Sequence, residues 1–282
     1  MKSKLFLGVL AIFLVVACKK PEPTPQRNLV FKFKFNPNQE RLDNFGNPAI
    51  IPSGNAGQSP RFNLLTAHYF ELSPNAFTQL GNGAILYHAP ETTLGGEIAI
   101  DFEKSIFKGE NETYLSVPLK QIPANTYEYL RISFAYQNYD ITFRVNGVDY
   151  TGTVASFVGY NTYIKDVKIK NQTISVNANK KQGFWAFETF TGVLQGQAPA
   201  TTVPNPIAAT SPIPPGSCVV TAKFDTPLTI TGNENKDIVI NVSISNNKSF
   251  EWKDNNGNGH FEPTLGETVV DMGIRGMKMI VE

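Results

Sequence analysis

Apolar side chains recur along this 282-residue chain in two rhythms. Over residues 5–16 they run unbroken except at Gly8. From residue 29 onward they alternate with polar positions. Phe31, Phe33 and Phe35 are interleaved with Lys32 and Lys34, the period-two signature of a half-buried strand. Further runs of this kind fall at 63–72, 84–88, 97–103, 114–119, 128–136, 140–145 and 150–157. Others follow at 163–170, 173–176, 184–187, 218–224, 228–231, 238–244 and 250–252. Asn146-Gly147 stands between two of them, the strongest short signal for a tight hairpin. Residues 36–60 and 192–215 are crowded with Pro, Gly, Asn and Ser, or with Pro, Ala and Thr, and predict loops; the second is long for an ordinary connection. Beyond the leading run no stretch sustains helical spacing, and no repeat of fixed period is present. The pattern predicts an all-β protein, an antiparallel β-sandwich with no substantial helix, over residues 28–282. One continuous body is the first expectation. Two stacked β subdomains meeting at 192–215 are the alternative.

Charge narrows the partners. Only 17% of residues are charged, and 25 Lys+Arg almost balance 24 Asp+Glu. No basic stripe offers itself to nucleic acid, and no large field steers a charged ligand. The two cysteines are Cys18 and Cys218. With Cys18 assigned below to another role, Cys218 has no intramolecular partner and reads as a buried thiol within a strand.

The leading apolar run is preceded by Lys2 and Lys4 and followed by Ala17 and Cys18. It is shorter than the ~20 residues a membrane span requires, and it has the layout of a secretory signal over residues 1–17. No later run approaches spanning length. Val15-Val16-Ala17-Cys18 resembles the lipobox of bacterial lipoproteins. That resemblance implies cleavage before Cys18, a diacylglyceryl group on its sulfur, and a mature protein anchored to a membrane by its first residue. A plain secretory signal with a chance cysteine is the alternative. Residues 18–27, with alternating prolines, read as an extended tether. Lys19 in place of Asp after the lipidated residue implies the outer membrane of the cell envelope, with its face, periplasmic or surface, left open.

Near the C-terminus Asp254, Asn256 and Asn258 alternate, followed by Gly259, His260 and Glu262. This resembles the start of an EF-hand-type calcium loop. Alternate oxygen-bearing side chains turn inward on a hard cation, His260 offers its backbone carbonyl, and Gly permits the reversal. It departs from that pattern at the twelfth position, which is Leu265, and in lacking flanking helices. Glu267 and Asp271 lie just beyond and are candidates to supply a further carboxylate. The same residues also build Asn/Gly turns that hold no ion. The second candidate is a copper or zinc site made by His68 and His88 with Glu91, which requires that their strands converge.

No nucleophile elbow, zinc-protease helix or phosphate loop is present, so no catalytic residue is assigned. Glu110 and Glu112 are a carboxylate pair that nothing places across a cleft. Phe184, Trp185, Phe187, Trp252, Tyr136 and Tyr139 read as core, with sugar stacking as the alternative. The order of residues 30–35, 69–73 and 126–132 resembles the MbnP-like β-sandwich lipoproteins and periplasmic proteins. That resemblance implies a sandwich and favours copper at His68 and His88. The first functional expectation is a non-enzymatic, lipid-anchored binding or structural module with a protein or glycan partner and a calcium-braced C-terminal loop. The second is a periplasmic copper-handling protein. The third is a hydrolase with dispersed catalytic residues.

Overall fold

The computed structural model describes residues 25–43, 45–200 and 211–282. The secretory signal, the lipobox with Cys18 and most of the tether lie outside the described residues, as does part of the 192–215 segment. Among the described residues the chain builds strands and three single 3₁₀ turns, with no α-helix. The first strands are β1 (Asn28–Asn36), β2 (Asn55–Gln58), β3 (Arg61–Ser73), β4 (Ala84–His88), β5 (Glu91–Thr92) and β6 (Ala99–Asp101). Then come β7 (Thr113–Pro118), β8 (Asn125–Val145), β9 (Val148–Phe157), β10 (Asn161–Lys168), β11 (Thr173–Lys181) and β12 (Phe184–Thr189). The last are β13 (Gly192–Gln197), β14 (Cys218–Ile230), β15 (Ile238–Ser245), β16 (Phe250–Lys253), β17 (Val269–Asp271) and β18 (Met277–Val281).

Two sheets face each other as a β-sandwich. The larger runs β13-β12-β9-β8-β3-β4, with β14 also paired to β8. The smaller runs β18-β15-β1-β7. The alternation that predicted β1 decides its role. Phe31 and Phe33 are fully buried and meet Phe70, Tyr114 and Phe134, with ring centroids 4.9–6.3 Å apart. Ile240, Val242 and Ile244 of β15 join the same core. A further sheet, β11-β10-β6-β5, covers part of the large sheet's other face over a second core of Tyr136, Phe157, Phe102, Ile164 and Phe184. The Asn-Gly hairpin forms as expected, with Asn146 and Gly147 both at positive φ (50° and 77°) between β8 and β9.

Several expectations are corrected. The sandwich is not wholly antiparallel: β1 runs parallel to β15, and β6 parallel to β10. The separate runs 128–136 and 140–145 are one strand, β8, whose inward alternation is reset by bulges. Residues 192–197 form β13, a hairpin with β12, where a loop was expected. The glycines that suggested a loop serve packing here. Gly192 takes a φ of 133° at the turn, and a Cβ on Gly196 would stand 2.6 Å from the Trp185 indole. Strand β14, which follows that segment, joins the same sheet as β12 and β13. Within the 36–60 stretch, residues 55–58 pair with β16 as β2.

Candidate metal centre

His68 is delivered by a defect in β3. Ala67 pairs with Phe134 and Tyr69 with Ser133, leaving His68 as the unmatched residue of a bulge. Ala67 and Phe70 both belong to the core although three positions apart. The irregularity turns the intervening imidazole to the other face, where it is wholly buried. One step earlier Ala135 of β8 is skipped in the same way, between the pairs Thr66–Tyr136 and Ala67–Phe134. His88 ends β4, paired directly with Tyr69. The Ala89 N–H donates to the His68 carbonyl at 2.7 Å, and the chain turns through Pro90 to Glu91 on β5.

These elements bring His68, His88 and Glu91 together. One ligand atom from each lies within 4.8 Å of the others. Donors bound 2.0–2.2 Å from a metal stand roughly 3–4 Å apart, so a small contraction would close the set on an ion. The imidazole centroids of His68 and His88 are 4.6 Å apart. His68 Nε2 lies 3.1 Å from Glu91 Oε1. His88 Nδ1 lies 3.0 Å from the Ala89 carbonyl, which can only accept, so Nδ1 carries the proton and Nε2 keeps its lone pair for a ligand. His68 Nδ1 is buried with no partner. His68 is inside, while His88 and Glu91 are exposed, so the site opens to solvent on one side.

Electrostatics hold His68 neutral and Glu91 ionised. Burial holds His68 below the ordinary imidazole value, outweighing the hydrogen bond to Glu91 that pulls it up. The hydrogen bonds from His68 and then Tyr160 outweigh partial burial and hold the Glu91 carboxyl below its usual range. A neutral imidazole beside an ionised carboxylate is ready to bind a cation. Two nitrogens and one oxygen form a donor set suited to copper or zinc. Tyr160, which the sequence did not single out, closes the site. It comes from the β9–β10 turn, and no local motif marks it.

The C-terminal loop forms a separate arrangement closed by its own hydrogen bonds. Asp254 accepts the N–H groups of Asn258 (3.2 Å) and Gly259 (2.9 Å). The amides of Asn256 and Asn258 each donate to Glu262 Oε2 at 2.7 Å, holding that carboxyl below its usual range. Gly257 and Gly259 take the positive φ the reversal needs. The His260 side chain faces Asp149, with Nδ1 4.0 Å from its carboxylate. Glu267 is buried and accepts the N–H groups of Asn255 and Glu262, tying the loop from below. Asp271 lies elsewhere: on β17 it pairs with Arg275 and accepts the Gly273 N–H. Leu265 is exposed. Among the described residues His68, His88 and Glu91 are the one group of three His, Cys, Asp or Glu residues whose ligand atoms meet this closely.

The remaining candidates have structural tasks. Glu110 accepts the Phe35 N–H, tying its loop to β1, and Glu112 accepts the Gly109 N–H, fixing a turn. Phe184, Phe187, Trp252, Tyr136 and Tyr139 are buried in the cores, and Trp185 packs at the rim. Cys218 is half-buried and not the fully buried thiol expected; desolvation, with Asp271 adding to it, pushes its thiol up to about 12, which disfavours the thiolate. No family model, curated protein or solved structure matches the chain.

Proposed function

We propose that this chain is a copper-binding module of the bacterial envelope, held to the outer membrane by a lipid on Cys18. The observation that carries the metal reading is the convergence of His68, His88 and Glu91 to within 4.8 Å, with His88 fixed in the ligating tautomer. Copper is favoured over the other divalent ions by the general affinity order for nitrogen and oxygen donors, and by the resemblance to MbnP-like proteins. Two of the three donors are exposed, which suits uptake and release of an ion better than permanent storage. We read the module as a binder and not a catalyst; in keeping with this, Glu110 and Glu112 are each engaged by a backbone N–H group. Titration of the purified body with Cu(II), followed by metal analysis, tests this. One equivalent bound, and lost in a His68→Ala, His88→Ala double variant, supports it. No bound copper, or the same copper in the double variant, sinks it.

A second reading concerns the C-terminal loop as a calcium brace. Supporting it, the Asp254, Asn256, Asn258 and Glu262 side chains all fold into the same loop, linked through Asn258. Calcium at ten times its Kd would add about 1.4 kcal/mol to stability. Melting curves of wild type and Asp254→Ala with and without calcium test it. A calcium shift absent from wild type, or kept by the variant, removes it.

A further inference from the structure

We infer that Tyr160 is a positioning residue for the metal site, holding Glu91 so that one carboxylate oxygen is reserved for the ion; this rests on the copper reading above. Tyr160 is brought in by a constrained turn. The N–H groups of Val158 and Gly159 both donate to the carbonyl of Ala135, at 2.9 Å each. Ala135 is the residue skipped in the β3–β8 ladder, so the same irregularity that accompanies the His68 bulge anchors this turn. A side chain at Gly159 would be crowded: a Cβ there would stand 2.8 Å from Ile100 Cδ1 and 3.3 Å from Ala135 Cα. The chain therefore passes close under the site and presents the next residue to it.

Tyr160 then touches two members of the site at once. Its ring lies against His68, with centroids 5.3 Å apart. Its hydroxyl donates to Glu91 Oε1 at 2.8 Å. Oε1 is thus approached by two donors, the Tyr160 O–H and His68 Nε2, while Oε2 has no hydrogen-bond partner among the described residues. A carboxylate tied at one oxygen by a hydroxyl presents the other as a single, directed ligand. When an ion takes His68 Nε2, whose proton passes to Nδ1, the His68 hydrogen bond to Oε1 is lost, and the Tyr160 hydroxyl is the contact that remains to stop the carboxylate from rotating away. Outer partners of this kind commonly contribute ~10–100-fold to metal affinity.

The test is a cycle of Tyr160→Phe and Glu91→Gln, read by Cu(II) competition titration and Cu(II) electron paramagnetic resonance. Tyr160→Phe keeps the ring and removes the hydroxyl. It is expected to weaken Cu(II) binding ~10–100-fold, and to change the copper hyperfine pattern. The melting temperature of the metal-free protein should stay near that of wild type. In the Glu91→Gln background the same change should have no further effect on affinity, because Tyr160 acts through Glu91. Wild-type affinity and spectrum in Tyr160→Phe would overturn the inference. So would an equal further loss in the Glu91→Gln background. A wild-type protein that binds no Cu(II), or binds it equally without both histidines, would instead overturn the metal reading itself.

Discussion

Replacing Asp140 by Asn tests how the β10–β11 hairpin is fastened to the large sheet. Asp140 sits in the middle of β8 with cross-strand neighbours on both sides, Arg61 on β3 and Thr153 on β9. It pairs with Arg61, accepts Thr153 Oγ1 at 2.6 Å and Asn63 Nδ2 at 3.1 Å, and takes Lys170 Nζ at 2.8 Å from the β10–β11 turn. Burial would raise its pKa, but the hydrogen bonds from Lys170, Thr153, Asn63 and Arg61 outweigh it and bring it to about 2. A carboxyl lowered from 3.8 to about 2 corresponds to roughly 2.4 kcal/mol at neutral pH. That figure is a ceiling, because the Arg61 side chain is 75% exposed and that of Lys170 42%, so solvent screens both cations. A loss of about 1–1.5 kcal/mol is expected for Asp140→Asn at pH 7. The sign follows from linkage. A lowered carboxyl stabilises the fold above its unfolded value and ceases to do so as pH falls through the folded one. The difference between wild type and variant should therefore hold at pH 5–7 and fade between about pH 4 and 2. Urea unfolding at several pH values measures it, and 0.5 M salt should shrink it. Equal stability at pH 7, or a difference that persists undiminished at pH 2, would refute the reasoning.

Phe33→Ala removes a fully buried ring from contact with Phe70, Tyr114 and Phe134 at the centre of the sandwich. It should cost about 3–5 kcal/mol and lower the melting temperature by about 6–20 °C, whereas Lys32→Ala on the opposite side of the strand should do little. In chelator-treated protein, His68 faces His88, Glu91 and Tyr160 and resists protonation. The unfolded chain then binds the proton first, so stability should fall as pH drops below about 6.5, by at most about 1.4 kcal/mol per pH unit. His68→Gln should flatten that slope in denaturant titrations; an unchanged slope would assign it to another group.

Much of the fold was legible because burial is periodic. Phe31, Phe33 and Phe35 announced β1, and Asn146-Gly147 announced the turn that closes β8 on β9. Where sequence reasoning failed, the side-chain signal served two purposes. Gly192 and Gly196 carry the composition of a loop, yet one is a hairpin turn and the other a flat seat for the Trp185 ring. The parallel pairing of β1 with β15 has no local trace, because a partner more than two hundred residues away in sequence is set by how the sheets close and not by either strand's pattern.

The metal centre shows the same division. His68, His88 and Glu91 were visible as donor types, but their meeting depends on register, which sequence pattern fixes only where alternation is strict. The decisive mark was a break in that alternation. In residues 65–72 the core positions are Leu65, Ala67, Phe70 and Leu72, with a spacing of three between the middle two. A strand that keeps both Ala67 and Phe70 inward must bulge between them, and the bulge sends a polar residue to the other face. Read that way, His68 is the residue the strand gives up to the site. Tyr160 has no such mark. Its place follows from the backbone carbonyl of Ala135 and the missing side chain of Gly159, which act only once the sheet has formed. A ligand on a broken strand can thus be found from spacing, whereas the residue that steadies it is found only from the fold.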